Sequence, residues 1–163
     1  MKVGHREVAV ALWVVRIVGM YISLAGTYTT SAWADESDIP DDIAIAAFAP
    51  EIADDSLHVV LCLEVGGSSA SDAVLHALAR PDRTIVPASE CQAVIEPSGS
   101  FHIPSNRPAH IISLSDFKLD GPARASLKVK GYFNGKWGWG WTLDLVQQEG
   151  NWKILRRYAG FVA

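Results

Sequence analysis

The chain has 163 residues, 49% apolar and 20% charged, with a formal charge of -4 at neutral pH. Such a chain can form one core-bearing domain, is too short for two of ordinary size, and needs no metal to hold a fold. The acidic balance argues against a nucleic-acid partner, because phosphate binding asks for a basic surface.

Residues 1–34 stand apart. Lys2, His5 and Arg6 precede the apolar run Val8 to Val15, Arg16 interrupts it, and Ile17 to Gly26 continues it. Small and polar residues follow, ending Ser31-Ala32-Trp33-Ala34 before Asp35. This is the layout of a secretory signal with an Ala-x-Ala end, so residues 1–34 are expected to be a cleaved signal peptide. A retained membrane anchor is the competing reading, and Arg16 in mid-span is costly for it. The mature chain, 35–163, is then one exported domain, periplasmic or extracellular, without membrane attachment. Its charge is segregated: Asp35 to Glu64 carries nine acidic residues and no Lys or Arg, whereas Lys118 to Ala163 carries eight basic and three acidic ones. The two ends can attract each other within the fold, or orient a partner.

Asp38, Pro40, Asp41 and Asp42 suit a helix start by capping, fixed φ and helix dipole. Ile43, Ala46, Ala47 and Phe48 supply an apolar side, and Pro50 predicts an end near Ala49. Leu57 to Val65 is apolar on both faces, which predicts a strand covered on both sides. Gly66-Gly67 ends it. Ser69 and Asp72 predict the start of a second helix, with Val74, Leu75, Leu78 and Ala79 buried. Asp72 and His76, four apart on that helix, read as a surface pair rather than an acid–base pair.

Thr84 to Ile95 predicts a strand pair with Pro87-Ala88-Ser89-Glu90-Cys91 in the middle. Pro97 to Pro108, which contains His102, reads as a loop. Ala109 to Phe117 predicts a strand, and Leu119-Asp120-Gly121-Pro122 a turn. Arg124 to Ala163 predicts a three-stranded antiparallel meander. In its first strand Leu127, Val129 and Phe133 face one way and Ser126, Lys128, Lys130 and Tyr132 the other. Asn134-Gly135 and Gln148-Glu149-Gly150-Asn151 mark its turns.

The cysteines are Cys62 and Cys91 alone. Export favours a disulfide between them over two buried thiols.

The predicted fold class is α+β, a curved antiparallel sheet packed on two or three N-terminal helices. The Val60-Leu61-Cys62-Leu63 strand between helices, the Pro87–Cys91 segment and the closing Tyr132-Phe133-Asn134-Gly135, Gly138-Trp139-Gly140-Trp141 and Gly150-Asn151-Trp152-Lys153-Ile154 hairpins resemble exported members of the nuclear transport factor 2-like (cystatin-like) superfamily. The resemblance covers roughly Asp38 to Val162. It implies a cone of sheet around helices with a pocket on its concave side. Its members include isomerases, dehydratases, transport factors and immunity-type proteins, so it does not select an activity.

Trp137, Trp139 and Trp141 share one face of a regular strand. They are candidates for stacking on a flat apolar ligand or a sugar, or for covering the helices instead. His110 and Asp116 share a face with Ile112 and Leu114, and in an apolar pocket either could act as a base. His58 and Glu64 lie too far apart along one strand to form a site. No zinc spacing, P-loop, dinucleotide fingerprint or Gly-x-Ser-x-Gly is present, so no cofactor or metal is expected. The residues favour a non-catalytic domain that binds a small apolar ligand or a protein partner. An isomerase- or dehydratase-like enzyme and a homodimer formed through the sheet face are the alternatives.

Overall fold

The strand β1 (Val60–Val65) is the hub. In the computed structural model, which describes residues 38–53, 59–95, 98–134 and 137–162 (161 and 162 in backbone only), it is paired along both edges. The signal-peptide expectation and His58 fall outside the described residues. The described residues all belong to one compact unit, 32–163.

Leu61 and Leu63 point into the main core, and Val60 and Cys62 into a second cluster with Ala109 on the other face. A strand that is apolar on both faces can sit centrally in a sheet, and β1 does so. One edge pairs antiparallel with β2 (Ser68–Ser69) and parallel with β3 (Ile85–Pro87); the other pairs parallel with β6 (Arg107–Leu119). The sheet runs β2-β1-β6-β7-β8-β9, with β7 (Arg124–Asn134), β8 (Trp137–Gln148) and β9 (Asn151–Val162) forming the expected antiparallel meander. Two short strands, β4 (Cys91–Gln92) and β5 (Phe101–His102), extend from β6.

The predicted fold class is therefore corrected. Among the described residues the domain is sheet-dominated, 55% strand and 20% helix, with a nine-stranded mixed sheet and only two α-helices, not an antiparallel sheet on two or three N-terminal helices. The cause lies in β1, whose neighbours β3 and β6 run parallel to it. Further strand comes from segments whose short strands pair with distant partners. Thr84 to Ile95 is not a strand pair: β3 joins β1, a 3₁₀ turn follows at Ala88–Glu90, and β4 joins β5. The expected loop Pro97 to Pro108 contains β5 and the start of β6.

Helix α1 (Asp41–Ala53) starts where the Pro40 carbonyl accepts the Ala44 amide (2.9 Å), and the Asp42 carboxylate takes the Ile43 amide (2.9 Å). The Asp42 contact lies inside the first turn of the helix, not at the Asp38 position expected to cap it. Pro50 does not end it: one turn continues through Glu51 and Ile52, both buried, so tertiary contacts offset the hydrogen bond that proline removes. Helix α2 (Asp72–Leu78) is capped by Ser71 rather than Ser69, with Ser71 Oγ accepting the Val74 amide at 3.2 Å. Its hydroxyl also donates to Asp41 Oδ1 (2.9 Å), linking the two helix starts. Ile43, Ala44, Ala47, Phe48 and Ile52 of α1 and Val74 and Leu78 of α2 bury against Leu61, Leu63, Ile112, Leu114, Leu127, Val129, Leu143 and Leu145 of the sheet's inner face. Each fully buried large side chain stabilises the fold by about 1.5–3 kcal/mol.

β-Bulges decide which residues face inward. In β6 the register shifts between Ser115 and Lys118, with Asp116 in the left-handed region at φ 54°. The extra residue resets the alternation, so Phe117 enters the core and Asp116 leaves it. A shift between Tyr132 and Asn134 ends the alternation predicted for Phe133, which packs instead on the loop at Gly99. Two shifts in β9, beside Leu155 and Gly160, keep Ile154, Arg157 and Ala159 opposite Leu145, Leu143 and Trp141. The turn between β8 and β9 has positive φ at both Glu149 (53°) and Gly150 (79°), the backbone of a two-residue hairpin turn.

Cys62 and Cys91 form a disulfide, with Cα atoms 6.3 Å apart. It ties β4 to the hub strand and is compatible with an exported protein.

Candidate functional site

Alternation along β8 places Trp139, Trp141, Leu143 and Leu145 on the inner face. Leu143 and Leu145 are buried there, and Trp139 and Trp141 pack partly buried against the same core. Trp139 pairs in register with Gly131 of β7, and its indole occupies the space above that glycine. A Cβ at position 131 would collide with the indole at its Cε2, Cζ2 and Nε1 atoms. Glycine is required there for close approach, not for an unusual φ. The indole reaches across β7 to β6, where it meets the His110 ring edge-on, centroids 6.0 Å apart and planes at 88°. On its other side it meets Trp141, centroids 6.3 Å apart.

Trp141 continues the line to β9 and α1. The Arg157 guanidinium lies over the Trp141 ring, 4.3 Å from its centroid, and its Nη2 is 2.8 Å from Glu51 Oε1. The Arg157 side chain is 37% exposed and that of Glu51 9%. A cation over an aromatic face contributes about 0.5–2 kcal/mol, more as water is excluded. His110, Trp139, Trp141, Arg157 and Glu51 thus form one continuous row across the inner face, from β6 to the last turn of α1.

Trp137 is different. It begins β8, pairs with Asn134 beyond the β7 bulge, and is 69% exposed. The three tryptophans are therefore not equivalent. Trp139 and Trp141 pack on the core, in line with the covering role, while Trp137 presents its indole to solvent.

His110 is buried at 5% exposure, beside Leu61 in register, and loss of solvent holds its pKa below the usual 6.5. A neutral imidazole is the resting form near pH 7. The structure does not bring His110 and Asp116 together. Because of the β6 bulge, Asp116 lies on the outer face, where its carboxylate is 2.7 Å from Lys128 Nζ. Asp116 therefore does not share the inner face with His110, Ile112 and Leu114. Asp72 and His76 sit exposed on α2, as expected of a surface pair.

Sequence reasoning missed Arg157 and Glu51, because the bulges in β9 set which side Arg157 faces and Glu51 lies beyond the proline taken as the helix end. Among the described residues no group of three or more His, Cys, Asp or Glu side chains could hold a metal ion, and no helix is long and apolar enough to cross a membrane. The outer side of the sheet carries Lys128, Lys130, Asp144 and Tyr158, with the Tyr158 hydroxyl donating to Asp144 Oδ2 at 2.9 Å.

No family model, curated protein or solved structure matches this chain. These comparisons neither support nor contradict the resemblance to the nuclear transport factor 2-like superfamily.

Proposed function

We propose that the protein is an exported binding domain whose ligand contact, itself non-catalytic, is the aromatic end of the inner sheet face, with Trp137 as the exposed contact residue. The observation that carries this reading is the 69% exposure of Trp137 at the end of a strand whose next two tryptophans are packed in place. An exposed indole beside an ordered aromatic surface suits a flat, uncharged, apolar ligand. Trp139, held over Gly131, and Trp141, held under Arg157, keep the strand fixed without themselves being free to stack.

A fluorescence titration with N-phenyl-1-naphthylamine, a flat neutral probe, tests the reading. Binding should enhance probe emission and quench tryptophan. Trp137→Ala should weaken affinity by roughly tenfold, the loss of one stacking contact of about 1–1.5 kcal/mol. The thermal midpoint should not move. Equal affinity of wild type and Trp137→Ala, or no binding by either, would overturn the proposal.

A further inference from the structure

A second arrangement lies on the other side of the hub strand, around the hairpin joining β5 to β6. His102, 8% exposed, sits at the end of β5, opposite Cys91 of β4 on one side and Arg107 of β6 on the other. Its two ring nitrogens each have a partner. Nδ1 is 2.7 Å from Ser105 Oγ, and Nε2 is 3.1 Å from Glu90 Oε2. Ser105 is exposed in the turn; the imidazole behind it is not.

The support beneath this row is rigid. The Glu90 carbonyl accepts the Ile103 amide (2.8 Å), and the His102 carbonyl accepts the Asn106 amide (2.8 Å). The residue after Glu90 is Cys91, whose disulfide ends on the fully buried Cys62. The carboxylate is thereby tied covalently, through one intervening residue, to the centre of the sheet. Closing a four-residue turn does not require a buried imidazole clamped between a hydroxyl and a carboxylate.

We propose that Ser105, His102 and Glu90 form a nucleophile, general base and orienting carboxylate that hydrolyse short, activated acyl esters. The order of contacts sets the proton positions. The Glu90 carboxylate accepts Nε2–H, which leaves Nδ1 as the acceptor for the Ser105 hydroxyl. Ser105 Oγ attacks the acyl carbon as its proton passes to Nδ1. The bond from the acyl carbon to the leaving oxygen then breaks, and that oxygen takes the proton from Nδ1 to depart as the alcohol. An acyl-serine remains. Water attacks it, giving a proton to Nδ1; the bond from acyl carbon to Oγ breaks, Ser105 regains its proton, and the carboxylic acid leaves. Glu90 is a positioning residue that fixes the tautomer and faces the imidazolium formed in each half-reaction. Arg107 is the register partner of His102, and one of its N–H groups donates to Thr84 Oγ1 at 3.3 Å. Ile103, 53% exposed in the same turn, offers apolar contact to a short acyl chain.

Two readouts on the full chain test this: turnover of p-nitrophenyl acetate, and mass-spectrometric mapping of a fluorophosphonate label. The label is expected on Ser105, and Ser105→Ala should lose it together with about 100-fold or more of the turnover. Glu90→Gln should lower kcat with little change in KM, a split that a purely structural contact would not produce. Undiminished turnover by Ser105→Ala, a label on another residue, or neither turnover nor label would overturn it. The wild-type labelling site decides by itself if a variant fails to fold.

Discussion

Replacing Arg157 with alanine should destabilise the domain by about 2–3 kcal/mol. The figure comes from the geometry. Were the pair on the surface, its loss would cost at most about 1 kcal/mol. Stranding a fully buried carboxylate costs about 3–5 kcal/mol. Here the Glu51 side chain is 9% exposed but that of Arg157 is 37% exposed, so water can partly replace the guanidinium and the loss lies between the two cases, about 1.5–2 kcal/mol. Loss of the cation over Trp141 adds about 0.5–1 kcal/mol. For a chain of this size the midpoint should fall by roughly 5–10 °C. Urea unfolding with linear extrapolation measures the change, and an unchanged m-value would show that the unfolded state is unaffected. Glu51→Leu removes the carboxylate itself, so the Glu51→Leu, Arg157→Ala double variant should be more stable than Arg157→Ala by about 1–2 kcal/mol. A loss below about 0.5 kcal/mol for Arg157→Ala, or a double variant no more stable than the single, would refute the reading of Glu51 as a buried charge held by Arg157.

Four further outcomes follow from the same structure. Gly131→Ala should cost about 1–3 kcal/mol by pushing the Trp139 indole off its seat, read as a lower thermal midpoint. Breaking the disulfide with Cys62→Ala, Cys91→Ala should cost about 3–4 kcal/mol in the chain-entropy picture for a separation of 29 residues, measured by urea unfolding under oxidising conditions. Burial lowers the pKa of His110, so the folded state resists its protonation. Its contribution to stability is complete above the unfolded value of about 6.5 and is lost as pH falls below it toward the lower folded value. His110→Phe should therefore flatten the stability profile in the window just below pH 6.5, read by thermal midpoints in a buffer series. Trp139→Ala should lower the midpoint by several degrees, whereas Trp137→Ala should leave it unchanged, because only the former is packed on the core.

Local signals carried much of the fold. The double-sided apolarity of Val60 to Leu63, the turn at Glu149-Gly150 and the alternation of Leu127 and Val129 each reflect rules that act over a few residues. Asp116 shows where such rules stop. Its spacing from His110 and Leu114 is right for a shared face, and one bulge residue moves it to the other side of the sheet. Arg157 is the reverse case: the bulge at Leu155 brings it inward against Trp141 and Glu51. The parallel pairing of β1 with β3 and β6 was equally unreadable, since strand direction depends on where the chain re-enters the sheet, not on side-chain pattern. His102 and Ser105 stand three apart in the sequence, a visible spacing, but nothing nearby says that Glu90 closes the row from a different strand segment.

The binding proposal rests on a difference between three tryptophans on one strand. Two-dimensional ¹⁵N NMR of the indole N–H groups, with N-phenyl-1-naphthylamine added stepwise, measures that difference directly. The account predicts that the Trp137 indole resonance shifts with saturation while those of Trp139 and Trp141 stay nearly fixed. Saturable shifts confined to other residues, or no shift at Trp137 at all, would contradict it.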